Sequence, residues 1–220
     1  MSPPDRPPRP PRLFPSQVCF VVDDVPSAAE DCVARFGWGP FQQFTAPVDE
    51  AEYRGWTGRK VTDVALGMAG NVQVELIHVH EGRDPVADYQ AEYGIGFQHL
   101  GVGCRSRDAA LAHLVSLGAS PSMQTEFTGI RIAFVDIPTG PAMFELLEAT
   151  QEKEDAPEVD AQTASSNDAR TSKNGSRRSD ARIFEIDRAT IVTRDLEAAL
   201  SFYSQAFGWS DAKAARTTLR

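Results

Sequence analysis

Two segments, GNVQVELIHV (residues 70–79) and PAMFELLEAT (residues 141–150), each set a Glu-Leu pair in a strand-like run, at Glu75 and Glu145. Each is preceded by an earlier strand-like run that opens on another candidate donor, Gln17 in QVCFVVDD and His99 in HLGVGC. One imidazole, two carboxylates and one amide oxygen suit a hard or borderline divalent ion such as Mn, Co, Ni, Mg or Zn. Open positions on that ion would receive a substrate. Plainer readings compete residue by residue. A lone glutamate near a strand end is usually solvated, and a lone histidine is commonly a hydrogen-bonded structural residue. What favours the metal reading is the recurrence of the donor pair.

Strand alternation gives the pairs a common direction. Residues two apart share a face, so Gln73, Glu75 and Ile77 lie opposite Val72, Val74 and Leu76. The aliphatic face belongs under a helix, which leaves Glu75 on the concave side. Glu145 shares its face with Met143 and Leu147, opposite Phe144, Leu146 and Glu148. Gln17 and His99 each stand near the start of a first strand, so pseudo-twofold pairing of two equivalent units would bring all four donors together.

Other groups offer less. His78 and His80 form an HxH pair that could ligate zinc, but they are opposite in parity to Glu75 and close to the strand end, where exposed histidines are expected. Cys104 and His113 lack an orienting partner, so a buried thiol is the default there. GIGF and GMAGN are turn sequences; no GxGxxG opens a helix, and there is no GxxxxGK[ST]. Trp38, Phe41, Phe44, Tyr53 and Trp56 could line a pocket, and core packing accounts for most of them equally well.

The elements that must carry the donors repeat. QVCFVV is a β-branched and aromatic strand. Asp24 and Pro26 then open a helix whose apolar stripe runs through Ala28, Ala29, Cys32, Val33 and Phe36 and stops at Gly37. Strands follow around Phe41–Thr45 or Tyr53–Trp56, at Val61–Met68 and at Val72–Val79, the last two joined by a hairpin turn at Ala69-Gly70-Asn71. Residues 85–93 read as a short helical connection. A second unit then begins: strand Phe97–Cys104, helix Arg107–Leu117, and strands Met123–Phe127, Arg131–Ile137 and Ala142–Leu147. The order βαβββ, given twice over residues 16–80 and 97–150, predicts an α+β fold of paired βαβββ modules forming a curved half-barrel sheet.

The flanks differ in kind. Residues 1–15 begin MSPPDRPPRPPR, a proline-rich sequence expected to be a disordered tail, with RPPRPPR as a candidate ligand for a proline-reading domain. Residues 151–182 lack aromatics and nearly all large aliphatics, which predicts a disordered linker. The pattern restarts in 183–220 with a strand at Ala189–Thr193, a cap at Asp195, a helix over Leu196–Phe207 and a stop at Gly208. The spacing from Asp195 to Gly208 equals that from Asp24 to Gly37. The segment reads as the truncated start of a further module.

Composition bounds the rest. A net charge of −9 and a pI near 4.9 argue against generic nucleic-acid binding, which needs a basic footprint. Cys19, Cys32 and Cys104 are odd in number with no CxxC, so buried thiols in a reducing compartment are expected. No apolar run is long enough to span a bilayer, and the N-terminus lacks the apolar core of a signal peptide. The expected setting is cytoplasmic. The expected partners are a small-molecule substrate and, as a candidate homodimer, a second copy of the chain; neither nucleic acid nor membrane is expected.

At these residues the chain resembles the vicinal oxygen chelate (VOC) superfamily, which includes glyoxalase I, methylmalonyl-CoA epimerase, extradiol dioxygenases and bleomycin-resistance proteins. The likeness is to its epimerase-like, glyoxalase-type branch. It rests on QVCFVVDDVPSAAEDCVARFGWGPF, YRGW, AGNVQVELIHV, DYQAEYGIGFQHLGVGC and GPAMFELLEAT, covers residues 16–150 and repeats in 183–209. The resemblance implies a divalent metal ion held by Gln17, Glu75, His99 and Glu145, with Glu145 or Glu75 also moving a proton. It departs from the common pattern at Gln17, where many members have His, and at Gln98-His99, where many have two histidines. Arg188, at the equivalent position of the third unit, is no ligand. The activity implied is isomerase, epimerase or lyase chemistry through an enolate of an acyl-CoA or 2-oxo substrate. A bleomycin-resistance-like protein that binds a small molecule without turnover is the alternative, and a regulatory fragment of a tandem-domain protein is a third.

Overall fold

The computed structural model describes residues 10–140, 143–148, 186 and 190–209. The expected linker at 151–182 and most of the expected tail lie outside these residues.

Eight strands form one mixed sheet in the order β2-β3-β4-β1-β5-β8-β7-β6. The first module is β1 (Phe14–Val21), α1 (Val25–Phe36), β2 (Gln42–Tyr53), β3 (Trp56–Ala69) and β4 (Val72–Glu81). After α2 (Pro85–Tyr93) the second follows as β5 (Gly96–Cys104), α3 (Arg107–Ser116), β6 (Ser120–Phe127), β7 (Ile130–Asp136) and β8 (Met143–Glu148). In each module the first strand runs parallel to the last, β1 with β4 and β5 with β8. The two first strands join antiparallel at the centre. The sheet nearly closes on itself: Phe44 of edge strand β2 stacks on Phe127 of edge strand β6, ring centroids 5.7 Å apart. The expected fold class and duplication are what the chain adopts.

Local chemistry sets the helix ends. Asp24 caps α1 by accepting from the Ser27 amide at 2.7 Å, and Gly37 ends it at φ 70, a left-handed geometry that a β-carbon disfavours. Asp84 and Ser106 cap α2 and α3 in the same way.

Alternation along the strands sorts side chains into two clusters. On the helix-covered face lie Val18, Val74, Leu76, Leu100, Val102, Phe144 and Leu146, packed under Ala29 of α1 and Ala110 and Leu114 of α3. A fully buried side chain the size of Phe144 contributes roughly 1.5–3 kcal/mol. The inner face holds Cys19, Val21, Tyr53, Val64, Ile77, Val79, Phe134 and Met143, with Val86 and Tyr89 of α2. Of the five aromatics expected to line a pocket, Phe44, Tyr53 and Trp56 join this inner cluster, while Trp38 and Phe41 pack on the helix side.

Several element boundaries differ from expectation; β3 begins at Trp56 rather than Val61, and β6 at Ser120 rather than Met123. Leu13 is buried and β1 starts at Phe14, ahead of the anticipated boundary at residue 16, because this strand pairs with β5 from Phe14 onward. β2 is one long strand rather than either short alternative; it tolerates Pro47 because it lies at the sheet edge. Tyr53–Trp56 is the β2–β3 turn, with Arg54 at φ 48. Finally, residues 190–193 form no strand. Thr193 Oγ1 instead donates to the Thr139 carbonyl at 2.6 Å, and Ile191 and Thr193 face the helix-covered side beside Val18 and Leu100. The helix expected after it is present as α4 (Leu196–Phe207), capped by Asp195 and ended by Gly208. Its Phe202, Tyr203 and Phe207 ring Phe144, and Tyr203 and Phe207 with Val18 and Leu100 bound a cavity of about 480 Å³.

Candidate metal centre

Two registers cross the middle of the sheet on its inner face. In one, Glu75 of β4, Cys19 of β1 and His99 of β5 are lateral neighbours, followed by Met143 of β8. In the next, Gln73, Gln17, Gly101 and Glu145 follow in the same strand order. The four residues singled out from the sequence, Gln17, Glu75, His99 and Glu145, are all buried; His99 stands beside Glu75 and Glu145, and Gln17 lies in the adjacent register.

His99 is the pivot. Its side chain is fully buried, and Nε2 lies 3.1 Å from Glu145 Oε2 and 3.4 Å from Glu75 Oε2. Neither approach has hydrogen-bond geometry: Nε2 and Glu75 Oε2 are both without a hydrogen-bond partner. The other ring nitrogen is satisfied, since Nδ1 donates to Gln98 Oε1 at 2.5 Å. That bond puts a proton on Nδ1 and leaves Nε2, facing two carboxylates, as the position for a second proton or a metal ion.

Gln98 reaches its neighbour because of a bulge. Cys19 pairs with His99 and Phe20 with Phe97, so Gln98 is the extra residue of β5. A bulge breaks strict alternation, and here two consecutive side chains turn inward. Gln98 Nε2 then lies 3.5 Å from Met143 Sδ.

Gln17 is held from the other end. Its Nε2 donates to Gln73 Oε1 at 2.9 Å, while its Oε1 is buried without a partner. The amide rests over Gly101, where an added β-carbon would come within 2.5 Å of Gln17 Cβ and 2.6 Å of its Oε1. Only glycine leaves room for it.

Burial and neighbouring charge shift the proton affinities. Burial raises Glu145 above the ordinary carboxylate range, with His99 acting against it. For His99, burial disfavours the imidazolium, but Cys19 and Glu145 outweigh it and the net direction is upward. Burial, reinforced by Glu75, pushes the Cys19 thiol far above its usual range.

Three buried polar atoms without hydrogen-bond partners, on Gln17, Glu75 and His99, are costly unless something else satisfies them. Their chemistry, with the Glu145 carboxylate beside them, fits a divalent cation. Alternation shows the inward direction of Glu75 and Glu145 in the sequence alone. Cys19, two residues beyond Gln17 on the same face, could have been added by that rule. Its thiol is fully buried and forms a potential ligand group with Glu75 and His99, the donor atoms all within 4.8 Å of one another. The weaker alternatives are engaged elsewhere: His78 and His80 stay side by side, ring centroids 4.7 Å apart, but His78 Nδ1 lies 2.8 Å from the Val22 carbonyl and His80 pairs with Asp63. Cys104 contacts the Leu147 carbonyl, while His113 contacts that of Gln205.

The family description for the glyoxalase/bleomycin resistance protein/dioxygenase superfamily matches residues 16–134. The chain belongs to this superfamily. Solved structures similar to this VOC chain include the hypothetical protein BH1468 from Bacillus halodurans, at 14% identity and TM-score 0.46, covering 65% of this chain and 99% of that one. Methylmalonyl-CoA epimerase from Mycobacterium tuberculosis is 21% identical with TM-score 0.43, covering 60% and 85% respectively. A 4-hydroxymandelate synthase variant from Streptomyces coelicolor is 17% identical with TM-score 0.43, covering 62% and 38%. No curated protein matches the chain. Among the described residues no helix is long and apolar enough to cross a membrane.

Proposed function

We propose that this VOC protein is a divalent-metal-dependent enzyme of isomerase, epimerase or lyase type, acting on an acyl-CoA or 2-oxo compound. The observation that carries this reading is His99 Nε2: fully buried, without a hydrogen bond, and 3.1 Å and 3.4 Å from two carboxylates. In this reading Gln17, Glu75, His99 and Glu145 hold the ion. When bound, it supplies Lewis acidity to two neighbouring substrate oxygens and so favours enolate formation.

The chain's own residues do the remaining work. Glu145 takes the proton from the carbon beside the carbonyl onto a carboxylate oxygen. Glu75 is the second carboxylate, on the far side of His99. Gln98 fixes the tautomer and ring orientation of His99. The inner wall of Phe44, Tyr53, Trp56 and Phe134 keeps water from the carbanion.

The test is a solvent-deuterium exchange screen over acyl-CoA and 2-oxo compounds with the metal-loaded protein. Exchange at the carbon next to the carbonyl is expected, and Glu145→Gln should abolish it. Normal exchange by Glu145→Gln would overturn the role of Glu145. Retention of metal without exchange on any substrate of these classes would overturn the enzymatic reading in favour of ligand sequestration.

A further inference from the structure

Cys19 has no part in the proposed proton transfer, yet it occupies the centre of the site. It is the lateral neighbour of Glu75 across the parallel β1–β4 pairing and of His99 across the antiparallel β1–β5 pairing. Its side chain is fully buried, and its sulfur lies within 4.8 Å of donor atoms on both neighbours. Independently of the thiol, Glu75 Oε2 and the wholly buried His99 Nε2 lack hydrogen-bond partners. An apolar residue at position 19 would serve packing equally well; a sulfur between two unsatisfied donors offers a third.

We infer that Cys19 Sγ is itself a metal donor, so that this chain binds its ion through sulfur together with His99, Glu75 and Glu145. The inference rests on the metal-dependent reading above and sharpens it, because a sulfur ligand changes which ion is preferred. Hard ions such as Mg²⁺ favour all-oxygen surroundings, whereas thiolate with imidazole and carboxylate favours Zn²⁺ or Co²⁺. On coordination the thiol proton passes to solvent and the sulfur binds as thiolate. Gln17, tied through its amide to Gln73, then lies at the margin of the donor set.

Cobalt makes the bond visible. The full chain is loaded with Co²⁺ and its near-ultraviolet spectrum recorded beside those of Cys19→Ser and Cys104→Ser. A thiolate-to-cobalt charge-transfer band is expected in the wild type and in Cys104→Ser, and its loss in Cys19→Ser. Zn²⁺ affinity of Cys19→Ser should fall by at least the roughly 10-fold that even an outer-shell partner is worth, with Mg²⁺ affinity unchanged. Stoichiometric Co²⁺ binding by the wild type without the band would overturn the sulfur ligand and leave the four-donor site standing. A band that persists in Cys19→Ser would overturn it equally. Failure of the wild type to bind Co²⁺ or Zn²⁺ at all would overturn the metal reading itself.

Discussion

Gln98 and His99 are consecutive in β5, yet both side chains point inward and Gln98 Oε1 accepts the His99 Nδ1 proton at 2.5 Å. A regular strand would have sent one of them to the opposite face. The bulge therefore provides the histidine with the partner that fixes its tautomer. Gln98→Ala should leave the fold intact and reduce divalent-metal affinity by about 10- to 100-fold, read by calorimetric titration. An unchanged affinity would show that the ring is oriented by other contacts.

Gly101 should prove equally sensitive. A methyl group there meets Gln17 Cβ at 2.5 Å with the strands already paired. Gly101→Ala is expected to lower stability by about 1–3 kcal/mol, as overpacking does, measured by urea denaturation. A loss near zero would mean that Gln17 moves aside freely, and the cradle would lose its significance.

Acid should release the ion earlier than an ordinary histidine site would. Metal binding needs His99 neutral and Glu145 ionised. At His99, burial disfavours the charged ring but Cys19 and Glu145 outweigh it; at Glu145, burial raises the proton affinity directly. Both net shifts are upward, so protons compete with the metal at higher pH. Affinity should start to fall above about pH 6.5, the usual histidine value, in chelator competition carried from neutral to acidic buffer. An affinity that holds level well below that value would contradict the sign.

Away from the centre, Lys60 forms an ion pair with Asp84, which is fully buried and also caps α2 by accepting from the Ala87 amide at 2.6 Å. Lys60→Met would leave that carboxylate without its cation and should cost about 3–5 kcal/mol. Adding Asp84→Asn, which keeps a capping oxygen, should recover part of the loss. A loss for Lys60→Met alone that stays within about 1 kcal/mol, typical of exposed pairs, would contradict this.

Much of this was legible because alternation is a simple rule. Val72–Val79 and Met143–Leu147 carry aliphatics on one face, so the direction of Glu75 and Glu145 followed from parity, and the duplication supplied their partners. Gln98 was not legible, since a bulge of one ordinary residue leaves no mark in composition. Cys19 was half legible: parity put it on the face of Gln17, but a thiol reads as core filler unless its lateral neighbours are known. Strand register, which sets Cys19 beside Glu75 and His99, is a long-range property. The missing strand before α4 has a related cause. Its residues have strand character, but whether a segment joins a sheet depends on a free edge within reach.

The central claim is that these buried donors hold a divalent ion. Metal content of the purified full chain, followed by titration with Mn, Co, Ni, Mg and Zn, tests it most directly. The account predicts stoichiometric binding by the wild type and its loss in His99→Ala and Glu145→Gln, with both variants folded by circular dichroism. A wild-type protein that carries no metal and binds none of the five would contradict it.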